Sequence, residues 1–276
     1  MSATRVETVT VEADKGLTPW RAGVLIVVVG LLVYANSFTK AFVYDDHHWI
    51  DANPLIRDPG AYIASWPSRA LVAVSIQLNF FLGKLNPAGY HLFNLFVHLA
   101  AALTLFGLVR RTLLLPYFAG RFRETATGYA LAVALVWTVH PVATHAVTYI
   151  IQRCESMMSL FYLLTLYCFV RGATATGRSW GWYAASLLAA LLGAFCKEII
   201  LSVPLTVLAY DWTFIDESWR ARLRRRGWVY AGLILVAGIP LYIHLPGLRE
   251  ADAHEAVGFS AGGMTPFTYL MTEAGV

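Results

Sequence analysis

Seven mostly apolar stretches follow one another along the chain, at residues 22–38, 90–108, 127–139, 149–170, 180–195, 199–214 and 228–245. A bilayer core is crossed by about 20 such residues in α-helical form, and a helix satisfies its own backbone polar groups where no water can. The pattern predicts an all-α, polytopic membrane protein with about seven transmembrane helices. The third and sixth stretches are short and leave little length for tilt. One more apolar run, 70–82, is interrupted by Ser75, Gln77 and Asn79. Its length suits an interfacial helix, expected to lie flat on the membrane within a long first outer loop, 39–89.

Charge tests this count independently. With the N-terminus inside, 14 of the 21 Lys and Arg residues fall on inner segments, as the positive-inside rule requires. Treating 70–82 as a span would invert everything after it and carry the arginines of 220–226 outside. Those arginines are expected to anchor the topology against anionic lipid. The organisation that results is a cytoplasmic tail over 1–21, a membrane module over 22–245 and an outer-face segment over 246–276. The last segment reads as the start of something longer, so further spans are expected beyond it.

Composition agrees: 58% of the 276 residues are hydrophobic and 14% charged, against about 25% charged in soluble domains. Net charge is +4, but no nucleic-acid-binding motif accompanies it, so no nucleic-acid partner is expected. Cys154, Cys168 and Cys196 lie within apolar stretches without metal-type spacing and read as small buried hydrophobes. The first span follows a tail of mixed charge and lacks a small-residue cleavage site, which marks it as a retained anchor.

Against this apolar background the polar residues near the outer face stand out. Asp45 and Asp46 follow the first span directly. His91, His140, His145, Arg153, Glu155, Lys197 and Glu198 come from other loops and span ends, yet the same topology brings them to that face. Charge at a membrane exit is costly to keep dry. One carboxylate with cations beside it suits sugar transfer from a lipid-linked phosphate. The carboxylate would take the proton of the acceptor hydroxyl, and the cations would hold a leaving group that needs no general acid. Plainer readings stand beside this one. Asp45 and Asp46 can be a solvated loop start, Arg153 can pair with Glu155, and Lys197 with Glu198 can sit at the interface. His98, among Leu95, Phe96 and Leu99, reads as a satisfied helix histidine. Asp45-Asp46-His47-His48 is weak as a metal signature, and loop is the preferred reading.

Several motifs taken in order carry a resemblance. Tyr44-Asp45-Asp46 is followed by Asn53-Pro54, by Ser-Ile-Gln-Leu-Asn-Phe-Phe-Leu at 75–82, and by Gly89-Tyr90-His91-Leu92-Phe93-Asn94 with His98. Next come His140-Pro141-Val142, Ala146-Val147, Tyr149-Ile150 and Arg153-Cys154-Glu155, then Lys197-Glu198 and Tyr210-Asp211. This series resembles the transmembrane and tetratricopeptide-repeat-containing O-mannosyltransferases and their bacterial relatives. His145 departs from the acidic residue expected in the His-Pro segment, so no role is borrowed for that position.

The resemblance implies a GT-C fold in an integral membrane protein, here of a bacterial inner membrane with its active site on the outer face. It implies an inverting transferase that moves a sugar, mannose in this family, from a polyprenyl-phosphate-linked donor to a hydroxyl of an acceptor protein. Asp45, with Asp46 beside it, maps to the catalytic carboxylate. His91, His140, Arg153 and Lys197 are assigned to the donor phosphate, and Glu155 and Glu198 to support. No cofactor is implied and no metal residue is assigned; a divalent cation stays open. Two other classes remain: a transporter with Asp45, Glu155 and Glu198 lining a polar path, and a non-catalytic membrane scaffold of the same fold.

Overall fold

A computed structural model describes residues 17–39, 41–215, 218–251 and 271, with 244–251 as backbone alone. Residues 1–16 of the expected tail over 1–21 and most of the outer segment over 246–276 lie outside the described residues. Within them the protein is all-helical, and its apolar helices make it an all-α membrane protein. Helix α1 (Pro19–Val33) leads into a loop that holds α2 (Pro59–Ala64) and α3 (Ala70–Gly83). Then come α4 (Pro87–Leu113), α5 (Ala126–Val139), α6 (Pro141–Thr148), α7 (Arg153–Ala173), α8 (Trp180–Ala194), α9 (Val203–Phe214) and α10 (Trp219–Ala251).

All seven apolar stretches are helical, but their lengths differ. Four helical segments are long and apolar enough to cross a membrane: Pro19–Thr39, Pro87–Leu113, Ile150–Ala173 and Trp219–Ile243. The third stretch is the first arm of a bent pair, α5 and α6, which turn through 60° at His140. Pro141 explains the break, because its ring disfavours helical backbone at the preceding residue and suits the first position of a new helix. Helix α8 is apolar but only 15 residues long, and the sixth stretch divides into a 3₁₀ turn, Glu198–Ser202, and α9.

Helix α7 packs between α4 and α8; α4 also meets α5, α1 lies against α4 and α5, and α10 covers α8. Small residues permit these approaches, as they do between helices in lipid generally. A Cβ on Gly172 of α7 would stand 2.7 Å from the Tyr183 ring of α8, and one on Gly30 of α1 would collide with Leu99 of α4.

Helix α3 buries the polar Ser75, Gln77 and Asn79 and exposes Val74, Leu78, Phe81 and Leu82. Those exposed positions share one helical stripe. The three polar residues share the buried face with Val72, Ala73, Ile76 and Phe80, and the exposed apolar stripe is a surface suited to lipid.

Candidate active site

The two adjacent aspartates separate because of one backbone turn. Tyr44 adopts a positive φ of 49°, uncommon for an aromatic residue, and the following residues begin a helical turn that continues as π-helix over His47–Asp51. Asp45 points to the surface, while Asp46 is 0% exposed. The Asp46 carboxylate is fastened at both oxygens: Val43 N–H donates to Oδ2 at 3.1 Å and Ile151 N–H to Oδ1 at 2.8 Å. Burial holds its pKa above the usual carboxylate value, against these backbone donors and the nearby charge of His91, which pull the other way. The Asp45 N–H donates to the Tyr149 hydroxyl at 3.0 Å. Burial raises the pKa of that phenol, and the Asp45 and Asp46 carboxylates add to the effect, so Tyr149 keeps its proton beside Asp45.

Arg153 lies below this pair. It is 0% exposed and binds three neighbours: Nε donates to Asn94 Oδ1 at 2.7 Å, Nη1 to Ser75 Oγ at 3.2 Å and Nη2 to the Tyr90 carbonyl at 3.1 Å. Its guanidinium also lies over the Phe93 ring at 4.3 Å. The Asn94 amide reaches on to the carbonyls of Val147 and Ile150, at 3.4 and 3.2 Å. A single cation thus ties α3, α4 and the entry to α7 together. His91, one turn before Asn94 on α4, is fully buried and acts electrostatically on Asp46.

The remaining charged residues form a second group at the same end of the bundle. Lys197 Nζ pairs with Glu155, and Arg69 lies 3.8 Å from Glu198 and over the Trp66 ring. Trp66 stacks on Trp49 with ring centres 4.1 Å apart. One of the plainer sequence readings is corrected here. Arg153 and Glu155 do not pair, because residues two apart on a helix face away from one another; the partner of Glu155 is Lys197. Glu198 meets Arg69. His140, assigned to the donor phosphate, is exposed and caps α6, its Nδ1 accepting from Val142 N–H at 3.2 Å.

A cavity of about 480 Å³ opens beside these groups, lined among others by Trp137, His140, His145, Gln152, Glu155 and Ser159. Tyr149 connects it to the aspartates: its ring lies 5.1 Å from that of His145, while its hydroxyl accepts from Asp45 N–H. His98 also borders the cavity, but its Nε2 is 3.0 Å from the Thr138 carbonyl and its ring stacks on Trp137, as expected of a satisfied helix histidine. The described residues contain no group of three or more His, Cys, Asp or Glu side chains able to hold a metal. The three cysteines are buried and free.

The chain is similar to protein O-mannosyl-transferases of the TMTC group. It is 32% identical over 203 residues to TMTC2 of Homo sapiens, across 66% of this chain and 23% of that protein. It is 31% identical over 194 residues to Tmtc1 of Drosophila melanogaster, across 63% and 21%, and 27% identical over 212 residues to TMTC4 of Mus musculus, across 66% and 28%. The chain therefore spans about a quarter of the length of the curated relatives it matches. No protein-family model matches it, and no solved structure matches it.

Tyr149, Ser75, Trp49 and Arg69 were given no role from sequence. Tyr149 and Ser75 sit within the ordered motifs, so their place in the series was a signal. Arg69 carried none, since its neighbour Glu198 is remote in the chain.

Proposed function

We propose that this chain is the membrane-embedded module of a GT-C glycosyltransferase that moves mannose from a polyprenyl-phosphate carrier to a protein hydroxyl on the outer face, with inversion. The similarity to protein O-mannosyl-transferases supports the reaction class. The observation that carries the site is the division of labour between adjacent aspartates: Asp46 is buried and fastened, and Asp45 is exposed and joined through Tyr149 to the cavity that His140, His145 and Glu155 line.

In the proposed step the acceptor oxygen attacks the anomeric carbon while Asp45 takes the hydroxyl proton. The bond from that carbon to the phosphate oxygen breaks, and the polyprenyl phosphate leaves with the electron pair. Charge developing on the phosphate is met by His140 at the cavity and by Lys197, for which it competes with Glu155. Arg153 and His91 act from beneath. Buried among fixed dipoles, they supply positive potential and hold the Asp46 turn in place, with preorganised electrostatics of the kind that outweighs other terms in many active sites. Glu155 and Glu198 support the site by setting the positions of Lys197 and Arg69. In this proposal the seven helices of the module run with the N-terminus inside, and α3 lies on the outer leaflet through its apolar stripe.

The test is transfer in membranes supplied with mannosyl polyprenyl phosphate and a hydroxyl-bearing acceptor. Loss of a general base costs roughly 100-fold or more, so Asp45→Asn is expected to fall by that amount with membrane insertion unchanged. Full transfer by both Asp45→Asn and Asp46→Asn would overturn the assignment.

A further inference from the structure

The end of the bundle away from Asp45 holds a second polar feature. Helix α4 spans 27 residues, about 40 Å at 1.5 Å per residue, so its final turn stands far from Tyr90 and His91. That turn carries Arg110 and Arg111, both half-buried. Together with Leu114, Tyr117, Ala173, Thr174, Phe214 and Ile215 they line a cavity of about 510 Å³. Each guanidinium is aimed by a threonine: Arg110 Nε donates to Thr127 Oγ1 at 3.0 Å, and Arg111 Nη1 to Thr174 Oγ1 at 3.2 Å. Arg171 is near enough for its charge to act on Arg111; it is held over the Trp182 ring at 4.1 Å and donates to the Tyr167 hydroxyl.

Among the described residues none of these three arginines forms an ion pair with a carboxylate. Glu124 shares a neighbouring cavity with Arg110 but makes no ion pair with it. Three partly desolvated cations held together by neutral partners repel one another, and an anion between them offsets that cost. Exposed Tyr117, Trp180, Trp212, Trp219 and Trp228 lie at the same end, where amphipathic rings mark the headgroup level of a membrane.

We infer that this cavity binds the phosphodiester of an anionic glycerophospholipid, with Arg110 and Arg111 on the phosphate and the acyl chains along the apolar flank. The occupant is a lipid rather than a free phosphate because Leu114, Tyr117, Phe214 and Ile215 make the remaining wall apolar. The inference is independent of the transferase reading, since it concerns the opposite face and no residue assigned to transfer.

Native mass spectrometry of the detergent-purified protein tests it, with phosphatidylglycerol, phosphatidylcholine and inorganic phosphate as probes. Retention of phosphatidylglycerol over phosphatidylcholine is expected, and Arg110→Gln/Arg111→Gln should reduce it about tenfold. Arg121→Gln/Arg178→Gln removes as many charges from exposed positions at the same end, outside the cavity, and should leave it unchanged. Ala173→Leu narrows the cavity with every charge in place and should also lose the lipid, which keeps the inference testable if the double arginine variant fails to fold. Equal losses in the two charge-removal variants, or displacement of the lipid by inorganic phosphate at comparable concentration, would overturn it.

Discussion

Asp46 shows what one carboxylate contributes at the residue scale. Both oxygens accept a backbone N–H, from Val43 and from Ile151, so it fastens the turn after α1 to the entry of α7 across more than a hundred residues. Asp46→Asn retains one acceptor and turns an N–H₂ toward the other donor, and a buried donor left unmade costs about 1–3 kcal/mol. A loss of that order is expected in thermal unfolding of the detergent-solubilised protein, with Asp45→Asn close to wild type. The pH dependence has a definite sign. Burial raises the folded pKa of Asp46 above its ordinary 3.8, so its proton is held more tightly folded than unfolded. Its contribution to stability is full below the unfolded pKa and is lost as pH rises through the raised folded value. Melting temperatures taken from about pH 4 upward should show the gap between wild type and Asp46→Asn narrowing. A gap that widens would contradict the burial argument.

Elements set the partners. Helix α7 presents Arg153 to the interior beside α4 and turns Glu155 toward Lys197, a choice made by helical pitch. Its far end meets α8 closely, where Gly172 faces Tyr183. Gly172→Leu places side-chain atoms where the Tyr183 ring now sits, and overpacking of this kind costs about 1–3 kcal/mol. The expected outcome is a lower melting temperature with transfer retained at permissive temperature, and Gly177→Leu, with open space around its Cα, serves as the matched control. The arginines of 220–226 also divide by pitch. Arg220, Arg224 and Arg225 are exposed, whereas Arg222 and Arg226 are buried and meet Asp211 of α9 at 3.2 and 3.1 Å. The sequence reading of the whole run as a lipid-facing anchor is therefore corrected for those two, which lock α10 to α9 through a buried acid.

At the scale of the whole molecule, polar chemistry gathers at two ends of an apolar bundle. The Asp45 end carries carboxylates, histidines and a buried arginine; the other carries Arg110, Arg111 and Arg171, with no carboxylate partner among the described residues, and the Arg222 and Arg226 pairs with Asp211. A transporter would line its path with charges at mid-depth, whereas the charged residues described here gather toward the two ends. The proposed orientation makes a direct prediction. The native cysteines are buried, so Arg57→Cys and Arg121→Cys, both at exposed positions, report without background. A membrane-impermeant maleimide should label Arg57→Cys from outside and Arg121→Cys only after the membrane is opened. The reverse pattern would reject the orientation.

The sequence by itself determined the class of protein. Apolar stretches long enough for a bilayer, and the order of motifs from Tyr44 to Asp211, are one-dimensional properties, written in spacing and composition. Span parity and charge placement also group Asp45, Asp46, His91, Arg153, Glu155, Lys197 and Glu198, which lie at one end of the bundle. Only the tertiary structure decided what each residue touches there. Asp45 and Asp46 are adjacent in sequence and opposite in environment, separated by the positive φ of Tyr44. Arg153, Lys197 and Glu155 found their partners on other elements, at separations no local pattern encodes. Which helices meet depends on packing across the bundle, and so the carboxylate on the surface and the one fastened beneath it could be told apart only in three dimensions.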